Sequence, residues 1–184
     1  ELELVKLARV TGNQKYLDLS KFFIDDRGTE PHFFTDEARR DGRDPKDFIQ
    51  KTYEYGQAHK PVREQEKVVG HAVRAMYLYS GMADIATEYK DDSLTNALEG
   101  LWDDVVTKQM YVTGGIGPAA SNEWFTAYYD LPNDTAYAES CASVGLVFCA
   151  NRMLRRGAYR RYAVVLEQAL YNCALTGLYI TGKP

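Results

Sequence analysis

Apolar side chains return every three or four positions through most of the chain, the spacing of helices that bury one face. Leu2, Leu4, Val5, Leu7 and Ala8 predict a helix over 2–10, and Tyr16, Leu17, Leu19, Phe22 and Phe23 predict a second over 14–23. Thr11-Gly12-Asn13 stops the first before the second begins, so the two form an αα-hairpin. Val69, Ala72, Val73, Met76 and Tyr77 lie on one face of a long helix over 68–89, and Leu94, Leu98, Leu101 and Val105, with Trp102, make the stripe of another over 93–108. Residues 142–154 are apolar on most sides, which predicts one of the most buried helices. A last stripe, Val165, Leu166, Ala169 and Leu170, predicts a helix over 162–175 with Glu167 and Gln168 facing outward. Hairpin punctuation recurs at Tyr79-Ser80-Gly81 and at Arg156-Gly157-Ala158-Tyr159, and only Leu178-Tyr179-Ile180 reads as strand-like. The expectation is an all-α fold whose helix pairs form a ring or a solenoid.

Two stretches break the period. Residues 27–67 carry Gly, Pro and mixed charge over more than a usual loop length, so they are expected to pack across one face of the domain. Gln57 and His59, with Tyr53 and Tyr55 nearby, are candidate pocket residues there, and a solvated loop is the alternative. The second stretch, Tyr111 to Cys141, joins a glycine-rich turn, Thr113-Gly114-Gly115-Ile116-Gly117-Pro118, to two carboxylates, a thiol and several aromatic rings. Three glycines and a proline cannot continue a helix, and irregular segments on a regular scaffold often carry function.

Within it, Glu123 is followed by Trp124, Phe125, Tyr128 and Tyr129. A carboxyl enclosed by rings tends toward a raised pKa and suits a general acid, although a partly exposed loop glutamate fits the same pattern. Glu139 and Cys141, two apart, would share a metal ion only where the backbone is not regularly helical, and a structural cysteine beside a capping carboxylate is the other reading. His71 and Arg74 are surface neighbours at a helix start, where a structural role for the histidine is the simpler reading.

Composition narrows the classes. The chain has 184 residues, 45% of them hydrophobic, enough for one core of an ordinary soluble globular protein. A net charge of −4 without a basic stripe argues against nucleic acid and anionic membranes as partners. Arg152, Arg155, Arg156, Arg160 and Arg161 gather at a helix–turn–helix junction and are expected to form a solvated face near a helix C-terminus. No apolar run reaches the ~18–20 residues of a membrane span. Three widely spaced cysteines suit reduced thiols in the cytoplasm better than a disulfide framework, and Cys149 and Cys173 read as small core hydrophobes. The first residues open directly on an apolar helix without an initiator Met, and the chain is expected to be cut at both ends.

YVTGGIG, YDLPND and YAESCAS, together with Gly70-His71-Ala72-Val73-Arg74 and the segment from Gln57 to Arg63, resemble glycoside hydrolase family 127, the β-L-arabinofuranosidases, over essentially the whole chain. The resemblance implies a retaining, exo-acting glycosidase acting on arabinofuranoside oligosaccharides. It favours the ring over the solenoid, as part of an (α/α)6 catalytic barrel that β-sandwich domains follow in the full-length enzyme. It also implies zinc held by three cysteines and one glutamate, one of those cysteines being the nucleophile. Glu123 matches the acid/base glutamate, Glu139 and Cys141 match two zinc ligands, and His71 matches a histidine that contacts the sugar. The nucleophile and the remaining cysteine ligand lie farther along than Pro184, so weak or no zinc and no turnover are expected of this segment alone. Asn122 stands where the family commonly has glycine. A homodimer stays open among the partners, and a non-catalytic carbohydrate-binding or structural helical module is the competing function.

Overall fold

Helices begin where the periodicity does. In the computed structural model, which describes residues 1–45 and 53–178, α1 (Leu2–Thr11) ends on Gly12, whose left-handed backbone carries its N–H to the Ala8 carbonyl. Next, α2 (Gln14–Asp26) starts from Asn13, whose side chain accepts the Lys15 N–H. A left-handed residue followed by a capping asparagine makes a tight reversal, and the expected αα-hairpin is formed. A short α3 (Phe33–Arg40) follows inside the stretch read as irregular. Only Ala38 of this helix is buried, so no apolar stripe marks it.

The centre of the fold is α4 (Ala72–Glu88). Packed on it are α1, α2, α5 (Asp92–Lys108) and α6 (Ser140–Arg156), and α6 packs in turn on α7 (Arg160–Ala169). Met76, Met82 and Ile85 are fully enclosed, each contributing about 1.5–3 kcal/mol of burial. The sequential pairs α1–α2, α4–α5 and α6–α7 all pack together, as in part of an α/α barrel. Among the described residues there is no strand, only the isolated bridges His71–Trp124 and Met110–Ile116. Leu178 has extended backbone, while Tyr179 and Ile180 of the strand-like run lie outside the described residues, as do residues 46–52.

Several expectations change. Tyr79-Ser80-Gly81 is not a hairpin but the middle of α4. The reversal comes at Tyr89-Lys90-Asp91, and Gly81 is present because a Cβ there would sit 2.9 Å from the Glu1 Cβ. Glycine here serves close helix contact rather than a turn. Similarly, Gly145 lets α6 approach α4, since its Cβ would lie 2.8 Å from the Met76 Cβ. The helix α6 buries one long face, Ala142 to Met153, and leaves Phe148 exposed, so α4 is the more enclosed of the two.

Of the five arginines, Arg155 and Arg160 are exposed as expected, with Arg155 and Arg156 in the last turn of α6, while Arg152, Arg156 and Arg161 serve as ties. Arg152 Nε donates to the buried Asp84 of α4 at 2.7 Å, Arg156 to Thr95 of α5 at 2.6 Å, and Arg161 pairs with Glu99 and Asp103. Farther along, α7 ends at Ala169 and widens into a π-type turn over Leu170–Ala174, where Gln168 and Cys173 bond to the carbonyls of Val112 and Thr113. Cys173 is therefore only half-buried, whereas Cys149 is a core residue whose thiol burial pushes up to about 12. No described helix is long and apolar enough to cross a membrane.

Candidate active site

Residues 109–139, between α5 and α6, contain nothing more regular than a single 3₁₀ turn over Ser121–Glu123. They are firmly held all the same. Tyr111 N–H donates to the Gly115 carbonyl and Gly114 N–H to the Tyr111 carbonyl, each at 2.8 Å, closing the glycine turn. A Cβ on Gly114 would meet the Ala169 backbone at 2.9 Å, and one on Gly117 would meet the Ala72 Cβ at 2.8 Å. The turn is wedged between the end of α7 and the start of α4, with both glycines at positive φ, so no larger residue fits either contact. Tyr137 N–H then donates to the Pro118 carbonyl and Ala138 N–H to that of Gly117, both at 3.0 Å. These bonds bring the start of α6 back beside the turn.

Three of the four candidate residues meet there. One ligand-type atom each of His71, Glu123 and Glu139 lies within 4.8 Å of the other two. His71 Nε2 is 2.6 Å from Glu123 Oε2, and the Tyr137 hydroxyl donates to Glu123 Oε1 at 3.0 Å. His71 also caps α4, its Nδ1 accepting the Arg74 N–H at 3.4 Å. An imidazole nitrogen that accepts carries no proton in the neutral ring, so the capping bond places the proton on Nε2, facing Glu123.

Asn122 (φ 58°) and Glu123 (φ 55°) both adopt left-handed backbone. Asparagine tolerates that region better than other non-glycine residues, which explains how it can stand in the usual glycine position. Glu123 in the same region costs about 1–2 kcal/mol, the kind of local strain that collects at functional sites.

The ring enclosure expected for Glu123 is absent. Phe125 is buried in the core, Tyr129 is exposed, and the Tyr128 ring lies between Lys67 and Lys108. The Glu123 side chain is 36% exposed and meets an imidazole and a phenol instead. Tyr137 is the residue the sequence reading missed, since sequence spacing had drawn Glu123 to its immediate neighbours. No spacing rule would have found it, because Ala138 between Tyr137 and Glu139 has left-handed backbone (φ 38°) rather than extended backbone. Trp124 stands edge-on to Tyr55 at 6.0 Å between centroids, and Tyr55 edge-on to His71 at 5.5 Å, with the Arg74 guanidinium over the Tyr55 ring.

Cys141 joins through Glu139. Glu139 has extended backbone just before α6 and Cys141 lies in the first turn, the irregular setting that a shared ion requires. The Glu139 carboxylate, more than burial, raises the Cys141 thiol above its usual range. Two adjacent donors whose anions repel until a cation lies beside them suit zinc chemically. His71, with one nitrogen on the helix cap and the other on Glu123, would have to give up a bond to serve as a ligand.

Of the pocket candidates in the 53–67 segment, Gln57 is buried and bonded to backbone carbonyls around His71, while His59 Nδ1 is buried with no partner among the described residues.

The whole chain, residues 1–184, matches the family described as β-L-arabinofuranosidase, GH127 catalytic domain. It is 41% identical over 187 residues to a non-reducing end β-L-arabinofuranosidase of Bifidobacterium longum subsp. longum, covering all of this chain and 28% of that protein. Its structure is similar to the crystal structure of a GH127 β-L-arabinofuranosidase from Geobacillus stearothermophilus T6, with a TM-score of 0.94 and 50% identity over 98% of this chain and 28% of that one. A GH127 β-arabinofuranosidase structure matches with a TM-score of 0.84 and 43% identity over 97% of this chain and 25% of that one. The chain thus spans little more than a quarter of the length of these relatives, and over that span it belongs to the GH127 β-L-arabinofuranosidase catalytic-domain family.

Proposed function

We propose that residues 1–184 form part of an (α/α)6 catalytic barrel and supply the acid/base side of a retaining, exo-acting glycosidase that releases terminal β-L-arabinofuranosyl residues from oligosaccharides. The observation that carries this reading is the Glu123 carboxyl, partly exposed, at a strained turn, with His71 Nε2–H on one oxygen and the Tyr137 hydroxyl on the other.

Glu123 protonates the departing sugar oxygen and then, as a base, takes a proton from the attacking water. The two donors fix the plane of its carboxyl group, so the proton is offered from a constant position. His71 also contacts the sugar, and the Tyr55 and Trp124 rings beside it offer apolar faces to the furanose. Glu139 and Cys141 would hold zinc, which when bound keeps its thiol ligands deprotonated. The family resemblance matches none of this chain's three cysteines to the nucleophilic thiol. Cys149 is sealed in the core and Cys173 is engaged with the Thr113 carbonyl.

In the protein that carries this chain, Glu123→Gln should lower kcat/KM on a disaccharide ending in β-L-arabinofuranose by about 10²–10⁴ while leaving substrate binding largely intact. On an aryl arabinofuranoside with an acidic phenol the loss should be small, because such a leaving group needs no proton. Near-complete activity of the variant on the disaccharide would remove the catalytic assignment and leave the carbohydrate-binding module as the better reading.

A further inference from the structure

Gln57 is enclosed in the segment that runs beneath His71, with 1% of its surface exposed. The nitrogen of its side-chain amide is aimed at backbone carbonyls. Nε2 lies 3.1 Å from the Tyr55 carbonyl, 3.0 Å from that of Val69 and 3.3 Å from that of His71. Its backbone is left-handed (φ 53°) and closes the 3₁₀ turn Glu54–Gly56, and its own carbonyl accepts Gln65 Nε2 at 2.8 Å. Three carbonyls converge on two amide hydrogens. A primary amide donates to them, whereas a carboxylate of the same shape would turn lone pairs toward lone pairs.

What those carbonyls belong to gives the arrangement its meaning. The 69–71 backbone is gripped from both sides: His71 N–H donates to the Tyr55 carbonyl at 3.2 Å, and the Gly70 carbonyl accepts the Phe125 N–H at 3.0 Å. His71 and Trp124 form a bridge, so the peptide carrying the imidazole is laid directly against the peptide that follows Glu123. The Gln57 amide ties the Tyr55 side of this sandwich to the His71 carbonyl, the same carbonyl that accepts the Ala75 N–H as α4 begins. Helix start, imidazole and acid are therefore registered to one another by these backbone bonds, with one buried amide joining the Tyr55, Val69 and His71 carbonyls beneath them.

We propose that Gln57 is a positioning residue for proton donation: it fixes the His71 peptide, and through His71 Nε2 the orientation of the Glu123 carboxyl. This rests on the acid/base reading of Glu123. Gln57 touches no substrate. Its effect is geometric, and a displacement of the acid by a fraction of an ångström is felt only by a leaving group that needs a proton.

The test is Gln57→Met in the protein that carries this chain, read as kcat/KM on two substrates, the disaccharide with its poor leaving group and an aryl arabinofuranoside with an acidic phenol. Because kcat/KM reports the first chemical step, the later role of Glu123 as base does not enter. The expected result is a loss of about ten- to a hundredfold on the disaccharide and a far smaller one on the aryl substrate, with binding of free arabinose unchanged. Gln65→Met removes another buried amide that bonds to Gln57 and Lys60 carbonyls but not to the His71 segment. It should lower thermal stability without any dependence on leaving group. Equal losses on both substrates for Gln57→Met, or the same leaving-group dependence for Gln65→Met, would overturn the assignment. If Gln57→Met does not fold, Gln57→Asn, which keeps the amide one methylene short of the carbonyls, is read in the same way. Glu123→Gln run in parallel separates the two levels. A leaving-group-dependent loss there without one at Gln57 removes only this inference, and its absence at Glu123 removes both.

Discussion

Gly12 and Gly70 have nearly the same left-handed backbone, φ 67° and 75°, yet their surroundings differ completely. A Cβ on Gly12 would meet nothing within 4 Å, whereas one on Gly70 would fall 2.0 Å from the Glu54 carbonyl oxygen and 2.8 Å from Tyr55 Cα. Gly12→Ala should therefore cost only the conformational penalty, about 1–2 kcal/mol. Gly70→Ala should cost clearly more, because backbone on both sides must move. Urea unfolding of the two variants compares them directly, and equal midpoint shifts would show that Gly70 is needed for its φ alone. The clash at Gly70 is invisible in the sequence, where Gly12 reads as a helix stop and Gly70 falls inside the helix expected over 68–89, which in the structure begins only at Ala72. Tyr137 and Glu123 are alike in this respect: residue types reveal a carboxyl and a phenol, but the 3.0 Å bond between them depends on the loop returning to Pro118.

At the scale of elements, the reading by periodicity works where a helix buries a stripe and fails where it does not. The α1–α2 hairpin, α5 and α6 follow from their apolar spacing, while α3 escapes because its face is mostly polar. α5 also shows what a cap adds. Asp91 Oδ1 accepts the Leu94 N–H at 2.9 Å and the Ser93 hydroxyl at 2.7 Å, and Oδ2 accepts Arg63 at 2.7 Å, with Arg63 continuing to Asp25 of α2. Burial alone would raise this carboxyl, but the Leu94, Arg63 and Ser93 bonds outweigh it and hold Asp91 well below the usual carboxylate range. A folded-state pKa below the unfolded one stabilises the fold above the unfolded value, about 3.9, and that contribution disappears as pH falls through the folded value. Asp91→Ala should cost about 0.5–2 kcal/mol for the cap, with the lost Arg63 tie in addition. The stability gap between the wild type and Asp91→Asn, measured by denaturant unfolding, should be full at pH 7 and narrow progressively below about pH 4. A gap that stayed constant down to pH 2 would show that the carboxylate charge is not what holds α5 and α2 together.

For the molecule as a whole, the site assembles from three separated parts of the chain: residues 55–71, the loop around Glu123, and the start of α6. Each part was legible as a motif, but their meeting was not, because it is produced by α4 and α6 packing through Gly145 and by the glycine turn wedged between the end of α7 and the start of α4. On the proposed reading Glu139 and Cys141 alone would offer two ligands where zinc takes four, so the 184-residue chain by itself should lose zinc on dialysis, as metal analysis of the dialysed chain can show. Retention of one tightly held zinc would instead point to the converging His71, Glu123 and Glu139 as the ligand set. The histidine at this junction has a consequence for how such a protein changes over generations. Position 71 starts the central helix with one ring nitrogen and addresses the acid with the other, so on the proposed reading selection for a durable fold and selection for turnover act on the same side chain. A replacement that kept the cap would still leave the acid without its imidazole, and one that kept a partner for the acid would still have to start the helix.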